Sequence, residues 1–280
     1  MSRKIIRVVF TAFVVSTVAT AGCLRALDHI DNAASDPAAV QAGAALPGAH
    51  ASTQRYKIDI SYPTLTEREA PLASALRQTG GNAIQEFLQS LPDPKQFPEF
   101  ADRQLQLLID FKIASRTNDF VSVREQGMSD TGGAHPLPID ASFVYDARSQ
   151  RVIALEDLFA DPSAARKRLA EFAHATLTKK MMTQAPKRNE GSPQAIQEWK
   201  ANAQQMIDDG TKPTADNFSN FVVDVTDNAL DPSPGLTLIF PPYQVAAYVY
   251  GTQTVEVPAH VFVQCLKPPY RKAFWGAIAN

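Results

Sequence analysis

"TGGAHPLPIDASFVYDARSQRVIALEDLF", residues 131–159, decides how the chain is read. Gly132 and Gly133 precede His135, and Pro136 and Pro138 follow it. Glycine supplies the positive φ of a tight corner, and proline fixes the exit from it. From Ala141 the pattern is strand, turn, strand and a short helical start. His135 has two readings. It contacts a ligand from a glycine cradle, or it is a corner residue hydrogen-bonded to backbone. No second catalytic group lies near it in sequence.

Upstream, "RYKIDISYP" alternates. Tyr56, Ile58, Ile60 and Tyr62 face one way, and Lys57, Asp59 and Ser61 the other, as in a half-buried strand. "PLASALRQTGGNAIQEFLQSLP" has apolar residues near helical spacing, with Gly80 and Gly81 predicting a kink or two short helices. "LQLLIDFKIAS" and "DFVSVREQGM" read as antiparallel strands joined by "RTN". Downstream, Asp161 and Pro162 open a helix as N-cap and first-turn proline. A second helix is expected near "SPQAIQEWKANAQQMI", then strands at Phe221–Val225, "GLTLIFPPY" and "TVEVPAHVFVQC". Glu156 to Phe159 are expected to cap and staple the helix that follows them. The expected fold is α+β, antiparallel sheets with packed helices in two intimately associated subdomains. Its parts are residues 1–22, 23–53, 54–130, 131–266 and 267–280. In the last of these, Phe274 and Trp275 either form a docking segment or pack on their own domain.

The start of the chain reads as an export signal. Arg3, Lys4 and Arg7 precede the short apolar run "VVFTAFVVSTVA". "TAGC" resembles a lipobox, which implies cleavage before Cys23 and lipid on it. Leu24 then points to the outer membrane. "ATAG" also offers Ala19 and Ala21 to an ordinary signal peptidase. Residues 24–53, rich in Ala, Gly, Pro and Ser, read as a tether. Removing residues 1–22 leaves 24 basic against 29 acidic side chains, a net charge of −5. That balance disfavours nucleic acid and favours cationic partners. The other cysteine, Cys265 in "VFVQCLK", reads as a small buried apolar side chain on a strand-like run. With 45 % apolar residues, the chain can bury a core.

Catalytic and metal motifs are absent. There is no HExxH, CxxC pair, GxSxG or glycine-rich phosphate loop, and the five histidines are scattered. No cofactor or metal is expected.

Residues 131–159 together with "GLTLIFPPYQVAAYVYGTQTVEVP", 235–258, resemble the PdaC/RsiV-like superfamily. The shared pattern is Gly-Gly-Ala-His-Pro, an aromatic strand with Tyr-Asp, and a Leu-Glu/Asp-Asp-Leu-Phe step. A Phe-x-Pro-Tyr-Glu strand, a Pro-Tyr-Ala-x-Gly turn and a Val-x-Ile-Pro strand come later. Residues 55–126 resemble the domain that precedes these in the family, so the likeness spans about 55–265. Gln244 replaces the usual acid, and Ala247 stands where proline is frequent. The resemblance implies an extracytoplasmic module. It binds lysozyme in RsiV-type members and lies beside a deacetylase domain in PdaC-type members. The metal-binding Asp and His motifs of that deacetylase domain are missing here, so the module alone is expected.

The expectation is a non-enzymatic, lipid-anchored cell-envelope module that recognises a lysozyme-like muramidase or a peptidoglycan glycan. His135, Tyr243, Tyr248 and Tyr250 are its candidate partner-binding residues. Simple packing of the tyrosines is the plainer alternative. An envelope glycan or ester hydrolase using His135, and a scaffold or assembly lipoprotein, are the competing functions.

Overall fold

A computed structural model describes residues 48–100, 102–187 and 191–276. Cys23, the signal and most of the tether lie outside the described residues. Among the described residues the fold is α+β, with two sheets and three long helices. The first sheet has six strands in chain order: β1 (Ala49–Ser52), β2 (Tyr56–Ser61), β3 (Leu105–Arg116), β4 (Phe120–Asp130), β5 (Leu137–Asp146) and β6 (Arg151–Ile153). The second is β7 (Phe221–Val223), β8 (Gly235–Phe240) and β9 (Gln253–Pro258). Helix α1 (Ala70–Ser90) connects β2 to β3, and α2 (Pro162–Thr183) and α3 (Pro193–Gly210) lie between the sheets in sequence.

Several expectations change. β2 and β3 pair in parallel, with α1 as the crossover, so the first sheet is mixed rather than antiparallel. Residues 49–52, assigned to the tether, are a strand paired with β2. The step at 130/131 falls between β4 and β5, which pair over ten residues. The chain of the first sheet therefore continues across it to residue 153. Helix α1 is one helix. Leu72, Ala73, Leu76, Gly80, Ile84 and Phe87 form its buried face. Gly80 is there because a Cβ would stand 2.2 Å from the Tyr62 hydroxyl oxygen.

β5 begins at Leu137, earlier than the prolines suggest. The Ser142 N–H donates to Asn220 Oδ1, so it points away from β4. Pro138, four residues earlier, has the same phase, and its missing N–H removes no ladder bond. The third strand of the second sheet ends at Pro258, and the apolar run after it coils into 3-10 turns. Cys265 lies in one of these turns, half-buried against the core, not on a strand.

Two cores result. One lies between α1 and the first sheet, with Ile60, Leu107, Phe111 and Val123 at its centre. The other gathers α2, the second sheet and the end of the first sheet through Phe120 and Val144. The C-terminal segment belongs to this core. Phe274 is fully buried against Phe120 and Phe262, although Trp275 beside it is half-exposed. The Tyr270 hydroxyl donates to Asp146 at 2.9 Å. Asp146 also accepts from the Arg148 N–H and the Ser149 hydroxyl, so the Tyr-Asp step of β5 serves as a structural anchor. Asp157 accepts from the Ala154 N–H and closes the 3-10 turn before α2, while Asp161 caps α2 itself.

Candidate functional site

Two segments meet at one exposed place. The corner 131–136 contributes His135, and the loop between β8 and β9 contributes Tyr243 and Tyr248. Each half is tied down from behind.

The corner is fixed by Asp130, whose carboxylate accepts from the Gly132 N–H and pairs with Arg103. Gly132 has φ +92°, and a Cβ there would lie 2.6 Å from the Phe100 ring. Both facts require glycine. The loop 241–252 is anchored by buried Val245 and Ala246 and by Gln244. The Gln244 amide donates to the Gly210 and Asn217 carbonyls at 3.1 and 2.9 Å. A carboxylate, the residue usual in the resembled family, has no hydrogen to donate to either carbonyl. The departure at Gln244 is thus what fastens the loop to the end of α3. At the loop's exit the Thr252 hydroxyl donates to Asp140, which is paired with Arg124. Asp140 follows His135 by five residues on β5, so this contact ties the two segments together.

Tyr243 is in the left-handed region, φ 72°. The Gln244 N–H donates to the Pro241 carbonyl, with Pro242 at the second turn position and Tyr243 at the third. That is a type II turn, whose third position favours glycine or asparagine. A tyrosine there stores about 1–3 kcal/mol of backbone strain. Tyr243 is 52 % exposed, so burial in the core does not account for the strain.

The rings are arranged as a tile. His135 Nδ1 lies 3.0 Å from the Pro136 carbonyl, which only accepts, so Nδ1 carries the proton. In the neutral ring Nε2 then accepts from the Tyr243 hydroxyl, also at 3.0 Å. Their centroids are 6.3 Å apart at 24°, so the two rings meet edge to edge rather than face to face. Tyr248 stacks across both, 4.5 Å from His135 and 5.7 Å from Tyr243. Its hydroxyl has no hydrogen-bond partner among the described residues. Exposed Leu137 and Val249 adjoin the tile in sequence.

Of the four candidates, the structure brings three together. Tyr250 turns away: its hydroxyl accepts from the Trp199 indole at 2.8 Å, and its ring packs edge-on against that residue. Asp140 and Thr252 were not singled out by sequence reasoning, and Gln244 was noted only as a departure from the acid usual in the resembled family. Only the alternation of β5 could have flagged Asp140. Elsewhere, no group of three or more His, Cys, Asp or Glu among the described residues is placed to hold a metal. No described helix is long and apolar enough to cross a membrane.

Comparison with known proteins bears out the resemblance. Residues 156–260 match the family described as "Protein of unknown function (DUF3298)". The chain is 23 % identical over 211 residues to the peptidoglycan-N-acetylmuramic acid deacetylase PdaC of Bacillus subtilis (strain 168), covering 75 % of this chain and 39 % of the relative. It thus spans about two-fifths of that protein's length. A DUF3298-family structure from Bacteroides fragilis is similar at TM-score 0.48 and 14 % identity, over 77 % of this chain and 85 % of that one. One from Pseudomonas aeruginosa PAO1 is similar at 0.45 and 17 %, over 80 % and 90 %.

Proposed function

We propose that this chain, whose residues 156–260 match the DUF3298 family, is an exported, non-catalytic module of the cell envelope that binds peptidoglycan through the His135–Tyr243–Tyr248 tile. The observation that carries this reading is Tyr243. A strained backbone position is occupied by a residue whose ring is displayed to solvent and locked edge to edge with a histidine from a distant segment. Flat, preorganised rings offer contact area at little entropic cost. The relative acting on peptidoglycan supplies the substrate class. The hydrolase reading of His135 is less well supported, since Pro136 and Tyr243 engage both ring nitrogens and neither supplies a carboxylate. Lipid on Cys23 and outer-membrane placement accompany the proposal as its anchor.

The test is co-sedimentation with purified peptidoglycan sacculi. Wild type should pellet, and Tyr243→Gly should stay largely in solution. Glycine suits φ 72°, so this variant folds at least as well as wild type. Equal pelleting of the two proteins would overturn the reading. A second reading, capture of a lysozyme-like muramidase, is favoured by the net acidic balance, −2 for the whole chain. A pull-down on immobilised lysozyme, with no sacculi present, distinguishes it, because Tyr243→Gly-resistant and salt-sensitive binding would identify a charged surface instead.

A further inference from the structure

Neither segment that builds the tile carries a charged side chain. Residues 131–139, "TGGAHPLPI", and 241–252, "PPYQVAAYVYGT", hold no Asp, Glu, Lys or Arg. The charges that flank the first segment in sequence are committed: Asp140 to Arg124 and Thr252, and Asp130 to Arg103. These two segments therefore supply no Asp, Glu, Lys or Arg with which to hold a phosphate, a carboxylate or an ammonium group. They do supply exposed ring area, the unpartnered Tyr248 hydroxyl, a remaining lone pair on the Tyr243 oxygen, and apolar Leu137 and Val249, 56 % and 82 % exposed.

We infer that the tile takes the neutral pyranose face of an N-acetylated hexosamine chain. The axial C–H groups of a pyranose lie flat on an aromatic ring, and the equatorial hydroxyls reach the tyrosine oxygens. The acetyl methyl finds Leu137 or Val249. A deacetylated sugar loses that apolar contact, and its ammonium finds no carboxylate in either segment. Recognition is by ring contact and hydroxyl bonding, so its affinity does not depend on counterion screening.

This inference rests on the tile being the peptidoglycan-binding face, and the experiment separates the two. The full chain is titrated calorimetrically with the tetramer of N-acetylglucosamine, and with the same tetramer fully deacetylated, at low and at near-physiological salt. The expected result is binding of the acetylated tetramer that changes less than about two-fold with salt. The deacetylated one should bind about ten-fold more weakly, and Tyr243→Gly should weaken the acetylated one by about the same factor. Equal or tighter binding of the deacetylated tetramer, steep salt dependence, or no binding of the acetylated one would overturn the inference. If sacculi still pellet the protein in a Tyr243-dependent manner in those cases, the binding face stands and only its neutral-sugar selectivity falls. If Tyr243→Gly affects neither ligand, both fall.

Discussion

Gly80 and Gly81 are adjacent in one helix and have opposite roles. Gly80 is buried under Tyr62, while nothing lies within 4 Å of a Cβ built on exposed Gly81. Gly80→Ala therefore forces Tyr62, stacked on Phe111 at 5.0 Å, out of place. A loss of about 1–3 kcal/mol is expected, the usual cost of overpacking a core. Gly81→Ala should add about 0.5–1 kcal/mol through helix propensity and a stiffer unfolded chain. Urea denaturation of the two single variants checks both signs, and similar shifts in one direction would contradict this account. Tyr243 follows the inverse logic: the residue type is unfavourable for the backbone and is explained by what its side chain displays.

At the scale of elements, the two sheets are joined by serines. β7 uses one edge for β8, and three hydroxyls from the first sheet serve the other edge. Ser122 on β4 accepts from the Val223 N–H at 3.0 Å, Ser142 on β5 accepts from the Phe221 N–H at 2.8 Å, and Ser115 on β3 donates to the Val223 carbonyl. A short edge strand thus avoids leaving buried backbone groups unpaired. Ser122 is fully buried, so Ser122→Ala strands the Val223 N–H without water. The expected cost is about 1–3 kcal/mol in thermal or urea unfolding. Hydrogen exchange at the Val223 amide should accelerate with it, and an unchanged exchange rate would count against the clasp. The serines were visible in the strands, but their direction depends on a sheet-to-sheet crossing that no local pattern encodes. Tyr248 and Tyr250 show the same limit. Two residues apart, they would share one face of a strand. In the 3-10 turn Tyr248–Tyr250 they diverge, one to the tile and one to Trp199.

At the scale of the whole molecule, one buried carboxyl ties stability to pH. Glu125 is 4 % exposed on the face of β4 that packs toward α1. Burial, reinforced by the Asp140 charge, raises its pKa from 4.5 to about 7. Below pH 4.5 this group is protonated in both the folded and unfolded chains, and burial adds no ionic penalty. Above pH 7 it is ionised in both, and the folded state bears a penalty of about 3 kcal/mol. Its contribution to stability is therefore lost as pH rises from about 4.5 to about 7. Glu125→Gln should remove that slope and leave the variant more stable than wild type at pH 8, measured by denaturant midpoints across pH. Parallel pH profiles for the two proteins would contradict it.

What the sequence by itself determined was the local grammar: the alternation of β2, the cap of α2, the glycine corner at 132, and the pair of segments that resembles one family. These follow from backbone preference and burial period, which act over a few residues. Only the tertiary structure decided that β2 and β3 run parallel, that the segment after 266 is core, that Gln244 fastens a loop, and that His135 meets Tyr243 across 108 residues. Those outcomes depend on which distant surfaces exclude water together and which buried polar groups find partners, and both are properties of the packed chain rather than of any segment within it.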